Sequence, residues 1–136
     1  MTKSDDDSPE EKPVRFVGST LKDIRKLPQG VKSVFGQALY DAQTGRKHPS
    51  TKPLKGFGGA GVLEVVEDDA CGTYRAVYTV KYAGVVYVLH VFQKKSKTGS
   101  KTPSEEIEKV KARLKEAEAD YADFIQQAKG GEEGHH

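Results

Sequence analysis

Thr73-Tyr74-Arg75-Ala76-Val77-Tyr78-Thr79-Val80-Lys81-Tyr82 and Val85-Val86-Tyr87-Val88-Leu89-His90-Val91-Phe92-Gln93-Lys94, separated by Ala83-Gly84, are the stretch on which the fold turns. Both runs are rich in β-branched and aromatic residues, and a two-residue link containing glycine suits a tight hairpin. If Tyr82 faces Val85, counting outward sets Val77 against His90, Arg75 against Phe92 and Thr73 against Lys94. Strict alternation then places Thr73, Arg75, Val77, His90, Phe92 and Lys94 on one face. The other face carries Ala76, Tyr78, Val80, Tyr87, Leu89 and Val91, an apolar set suited to a covering helix.

Working outward, Val62 to Glu67 reads as the preceding strand, with a turn at Asp68 to Gly72. Val14-Arg15-Phe16-Val17 is a further short strand. Ser19 or Thr20 can cap a helix built on Leu21, Ile24 and Leu27. Pro28 fits the first turn of a second helix, whose apolar positions are Val31, Val34, Phe35, Ala38, Leu39 and Ala42 and which Gly45 ends. Thr102-Pro103-Ser104-Glu105 offers a capping box for a last helix running to about Ala128. Its stripe, Ile107, Val110, Leu114, Ala117, Tyr121 and Phe124, is spaced to dock on a sheet.

The expected order is β-α-α-β-β-β-α, an α+β fold. A mainly antiparallel, four-stranded sheet is covered by the helical pair within 19–44 and by the C-terminal helix. The domain is expected to span 13–128. Residues 1–12 and 129–136 are expected to be disordered tails, polar and broken by Pro9 and Pro13 at one end and glycine-rich at the other.

At 136 residues the chain holds one domain. With 35% hydrophobic and 31% charged residues it is lean, which agrees with one core and polar ends. A single cysteine, Cys71, excludes an internal disulfide framework and points to a cytoplasmic protein. The apolar run Gly84 to Leu89 stops at His90, far short of the roughly 20 residues of a membrane span. Met1-Thr2-Lys3-Ser4 followed by three aspartates is not a signal peptide. The net charge of +2 conceals a partition. Residues 1–11 carry one lysine against five acids and 104–136 five cations against nine acids, whereas 12–103 carry sixteen cations against six acids. That middle block is a candidate polyanion surface.

Gly56-Phe57-Gly58-Gly59-Ala60-Gly61 satisfies G-x-G-x-x-G but follows a loop and precedes a strand, the reverse of what a dinucleotide fold requires. Its glycines suit tight turns, and no cofactor is expected. His48, His90, His135 and His136 lack ligand spacing, so no metal is expected either. Cys71 lies among acids, which raise a thiol pKa. More promising is the hairpin face with Arg75, His90, Phe92 and Lys94, continued by Lys95. Beside it runs a loop bearing Arg46, Lys47, Lys52 and Lys55. Singly, each of these cations reads as a solvated side chain. Together they suit a phosphate-binding groove, and RNA cleavage needs such groups: a base for the 2′-OH, an acid for the 5′ oxygen and cations for the phosphate. Phe92 or Tyr74 could stack an unpaired base.

At these residues the sequence resembles the RelE/HigB toxin superfamily, in its phage-related HigB-like branch. The resemblance rests on Lys52-Pro53-Leu54-Lys55-Gly56, Val62-Leu63-Glu64-Val65, Tyr74-Arg75-Ala76-Val77-Tyr78 and Val88-Leu89-His90-Val91-Phe92-Gln93-Lys94-Lys95-Ser96 leading to Thr102-Pro103. It runs from about Val14 to Tyr121. It implies a type II toxin, a metal-independent, ribosome-associated endoribonuclease cleaving mRNA, with a cognate antitoxin of helix-turn-helix type as partner. By that resemblance Arg75, Lys94 and Lys95 are catalytic, and Lys55 helps bind substrate. Two departures are plain: no tyrosine follows the fourth strand within Ser96 to Thr102, and Glu64 and Glu67 stand where lysines are expected. His90 is taken as the substitute proton-transfer group, although it reads equally as a buried strand histidine. The rival function is a non-catalytic module that binds nucleic acid or protein in a repressor complex, since phosphate contacts need cations whether or not a bond breaks.

Overall fold

The computed structural model describes residues 11–58, 61–70, 72–94 and 102–133. In chain order these form β1 (Val14–Phe16), α1 (Thr20–Arg25), α2 (Gln29–Gln43), β2 (Thr51–Pro53), β3 (Val62–Asp69), β4 (Gly72–Thr79), β5 (Val86–Lys94) and α3 (Ser104–Glu133). The fold is α+β as expected, but the sheet has five strands in the order β1-β5-β4-β3-β2. The additional strand, β2, lies in what reads as loop. Its three residues pair antiparallel with β3, Thr51 opposite Val65 and Pro53 opposite Leu63. β1 runs parallel to β5, Val14 opposite Val86, and makes the sheet mixed.

The hairpin register expected from its two-residue turn is present at the far end of the ladder. Thr73 pairs with Lys94, Arg75 with Phe92 and Val77 with His90. Nearer the turn it slips, because Tyr78 pairs with Val88 and leaves Leu89 as an extra residue in β5. Such a bulge reverses the faces of everything on one side of it. Tyr87 and Leu89 therefore pack with Val77 under α3, not with Ala76 and Tyr78 as strict alternation requires. Val80 lies beyond the end of β4 and is exposed.

Helices cover both faces. Val31, Phe35, Ala38, Leu39 and Ala42 of α2 pack on Val65, Ala76, Tyr78, Val86, Val88 and Val91. On the opposite face Val110 and Ala117 of α3, both without exposure, meet Val77, Tyr87 and Leu89, flanked by Ile107, Leu114 and Tyr121. The expected stripe is thus the docking face of α3. Its helix backbone continues to Glu133, past the end expected at Ala128. Lys12 donates its amide to the Gln43 carbonyl (3.0 Å) and accepts from Gln43 Nε2 (2.7 Å).

Two glycines set local geometry. Gly61, at φ +73°, accepts the Val80 amide (3.1 Å) and the Thr79 hydroxyl (2.9 Å), so the glycine run shapes the entry to β3. Gly18, at φ +60°, leaves room for Arg113, whose Nε would lie 3.0 Å from any Cβ added there.

Leu89 is fully buried at the bulge, and truncating it leaves a void that neighbours on both strands cannot close. Leu89→Ala is expected to lower unfolding stability by about 2–5 kcal/mol, read as a shifted urea midpoint at unchanged slope. A loss below ~1 kcal/mol would show that Leu89 is not a packed core residue.

Candidate functional site

Arg75 leaves β4 on the face covered by α3, and so does Glu64 of β3, which pairs with Val77 in the ladder. Both side chains are nearly out of water, at 3% and 2% exposure. The Arg75 guanidinium donates Nη1 to Glu64 Oε2 (2.9 Å) and to the Thr102 hydroxyl (3.1 Å), and that hydroxyl donates to the same carboxylate oxygen (2.6 Å). Thr102, expected to cap α3 through its side chain, instead closes a buried triangle. The helix begins two residues after it, past Pro103, whose carbonyl accepts the Glu106 and Ile107 amides. Two charges this deep persist because each satisfies the other.

Glu64 and Thr102 of the triangle lie on the floor of a cleft of about 360 Å³ between β2, the segment after it and the start of α3, with Arg75 bonded to both from beneath. Lys52, Pro53, Leu54, Lys55, Glu64, Thr102 and Ile107 line it. Lys52 and Lys55 are exposed, so two ammonium groups stand at the rim of a cleft with an Arg–Glu pair beneath. Glu64 is the functional candidate that sequence reasoning missed, by treating it only as a departure from lysine. The available signal was an acid at an inward position of an apolar strand, alongside an arginine in the next strand.

The other expected site residues are dispersed around this centre. His90, 4% exposed, lies on the same face, and its Nε2 is 2.6 Å from Glu106 Oε1. Its Nδ1 is 3.4 Å from Arg113 Nη1, and Arg113 also donates to the Leu89 carbonyl (3.2 Å). Burial lowers the His90 pKa, against the opposing pull of Glu106, and the cations Arg113 and Lys109 lower it further. The ring is therefore neutral at pH 7, donating through Nε2–H to Glu106 and accepting at Nδ1 from Arg113. Phe92 is half-buried and stacks on the His90 ring, with centroids 4.9 Å apart. Lys94 shares the face of Arg75, opposite Thr73 at the sheet end. Lys95 lies outside the described residues. Of the loop cations, only Lys52 and Lys55 line the cleft. Arg46 lies 3.9 Å from Asp41 and over the Tyr40 ring at the end of α2, and Lys47 follows it, exposed. Among the described residues no three His, Cys, Asp or Glu side chains gather as a metal site, and no helix is long and apolar enough to cross a membrane.

A mixed sheet covered on both faces by helices, with a cation-rimmed cleft above a buried Arg–Glu pair, defines the class of domain. The model of the family described as "Phage derived protein Gp49-like (DUF891)" matches residues 22–115, and the chain belongs to that family. The phage-related branch of the resemblance found in the sequence agrees with this membership. Two solved structures are similar. One is an arginine-to-alanine double mutant of the Escherichia coli toxin RelE in its free state, at 22% identity over 61% of this chain and 83% of that one, with a TM-score of 0.46. The other is the toxin–antitoxin complex RelBE2 of Mycobacterium tuberculosis, at 24% identity over 63% and 94%, with a TM-score of 0.43. Among curated proteins none matches.

Breaking the buried pair from one side strands the other charge. Arg75→Met alone is expected to cost about 3–5 kcal/mol of stability, whereas the triple change Arg75→Met, Glu64→Leu and Thr102→Val should recover most of it. Chemical denaturation of the variants checks this, and equal losses in both would disprove the coupling. His90 gives a pH signature. Its folded pKa is below its ordinary value near 6.5, so the unfolded chain binds more protons in that interval. Stability is full above pH ~6.5 and is expected to decline as pH falls toward the folded pKa, a decline that His90→Gln should flatten. Thermal melts across this range, for parent and variant, measure it.

Proposed function

We propose that this chain is the toxin of a toxin–antitoxin pair, that it cleaves mRNA on the ribosome, and that a cognate antitoxin, encoded beside it, restrains it in the cytoplasm. The observation that carries the proposal is the cleft in which Lys52 and Lys55 stand above Glu64 and Thr102, with Arg75 bonded to both beneath them. Two ammonium groups suit a phosphodiester. Glu64 is the carboxylate at the floor, placed to take the proton of a 2′-OH as that oxygen attacks phosphorus and the bond to the 5′ oxygen breaks. Protonating Glu64 would uncover the Arg75 charge as negative charge collects on the phosphate oxygens. A lysine ammonium, Lys55 at the rim or Lys94 on the same sheet face, then supplies the proton for the departing 5′ oxygen. His90 has a different role. Held between Glu106 and Arg113, it fixes the first turns of α3 over the site and is a positioning residue.

The burial of Arg75 against Glu64 favours one alternative, a binding module that uses only the rim lysines. Purified protein on mRNA-programmed ribosomes separates the two. The parent is expected to cleave, and Lys52→Ala with Lys55→Ala to weaken binding. Glu64→Gln strands the Arg75 charge and loses stability, so it is assayed at a temperature where circular dichroism shows it folded; there it should keep binding yet slow single-turnover cleavage by about 10²-fold or more. A parent that binds without cleaving assigns the binding module. A Glu64→Gln variant that cleaves at the parent rate removes Glu64 as the base.

A further inference from the structure

Beyond the cleft, further along the same helix, a second groove of about 410 Å³ lies between α3, Phe57 of the segment after β2, and the link between β4 and β5. Phe57, Tyr82, Lys81, Lys111 and Lys115 line it, with Glu108 and Glu118 beside them. The two grooves share no lining residue, but their walls are neighbours in the chain. Leu54 and Lys55 pass to Phe57 on the loop side, and Ile107 passes to Glu108 and Lys111 on the helix side. From Ile107 to Lys115 the helix rises ~12 Å, so the combined track is longer than a single phosphodiester needs.

The second groove has a distinct composition. Its three lysines are exposed, while Phe57 and Tyr82 are half-buried and buried parts of the core beneath α3. Lys81 Nζ stands 5.5 Å from the Tyr82 ring centroid, which puts a cation directly over an aromatic wall. Glu108 lies 3.6 Å from Lys111, an exposed pair that an incoming phosphate can replace at little cost. Tyr82 is packed against Tyr87 and Tyr121, which leaves the half-buried Phe57 ring beside spaced ammonium groups, a combination that fits a stacked base and its phosphates. An amphipathic helix would require an unbroken apolar floor, which the lysines and glutamates interrupt.

From this placement we propose that the groove of Phe57, Lys81, Lys111 and Lys115 is a second nucleotide subsite, holding single-stranded RNA that flanks the phosphodiester bound at Lys52 and Lys55. This rests on the RNA-cleaving reading above and extends it from one phosphate to a directional track along α3.

Oligomer length tests it without any cleavage. Equilibrium binding of the full chain is measured for uncleavable, 2′-deoxy-substituted oligonucleotides of ~3 and ~9 nucleotides. The longer one is expected to bind about tenfold more tightly. Lys111→Ala with Lys115→Ala, two exposed positions that leave the core intact, should erase that advantage while the short oligomer binds as before. The salt dependence of the long oligomer should flatten by a slope of about 1.4, the change expected when two lysines no longer neutralise phosphates of a single strand. Phe57→Ala should act in the same direction and only on the long oligomer. Equal binding of both lengths, or lysine variants that keep the length advantage, overturns the subsite and leaves the RNA reading standing. If neither oligomer binds, the subsite falls, and the RNA-cleaving reading is decided separately by the programmed-ribosome assay. Lysine variants that lose a co-expressed protein partner while keeping the length advantage assign the groove to protein instead.

Discussion

Arg75 and Glu64 are an ion pair almost out of water in a domain of ordinary size, and much of the architecture is arranged around that fact. Neither charge could remain there alone, since an isolated buried ion costs far more than the few kcal/mol by which a domain is stable. The pair therefore requires β3 and β4 in one register, and it requires Thr102 to be delivered as a third partner from the approach to α3. The first turns of α3 form the roof that keeps water off, and the His90–Glu106 and Arg113–Leu89 bonds hold that roof to β5. The candidate site and the structural cost thus share one set of atoms, since the cleft opens onto Glu64 and Thr102 with Arg75 bonded beneath.

A second polar tie sits further along α3. Arg15 of β1 donates to Asp120 (2.5 Å), and the Tyr87 hydroxyl donates to the same carboxylate (2.7 Å). Arg15 holds the Asp120 carboxyl below its usual range, and burial pushes the Tyr87 phenol up. Arg15 and Asp120 are themselves exposed, so this tie orients β1 against the helix and adds little to stability. Polar contacts thus fix the helix at two places, with Val110 and Ala117 packed between them.

What the sequence made legible follows from the range of the interactions involved. The β4–β5 register near Thr73 and Arg75 and the stripe on α3 were readable because each depends on neighbours a few residues away or on one tight turn. The bulge at Leu89 was not. Val85 to Leu89 is apolar throughout, and alternation carries no signal where both faces are buried. Thr51-Lys52-Pro53 is too short to show any period, and the parallel docking of β1 depends on a partner 72 residues away. The candidate site residues divide in the same way. Arg75, Lys52 and Lys55 stand out by charge and position, but the identity of the partner that neutralises Arg75 depends on how β3 and β4 align. Glu64 therefore looked like an anomaly until the strands were paired.

The parallel pairing of β1 with β5 has a consequence for the timing of synthesis. Val14 leaves the ribosome early, yet its ladder partner Val86 is made 72 residues later. Closing so long a loop is entropically costly, and the local β4–β5 hairpin can form well before that loop closes. The first strand of the chain is thus among the last pieces to find its place, and α3, which roofs the cleft, is translated later still. The cleft between β2 and α3 therefore stays incomplete in a nascent chain until α3 has been made.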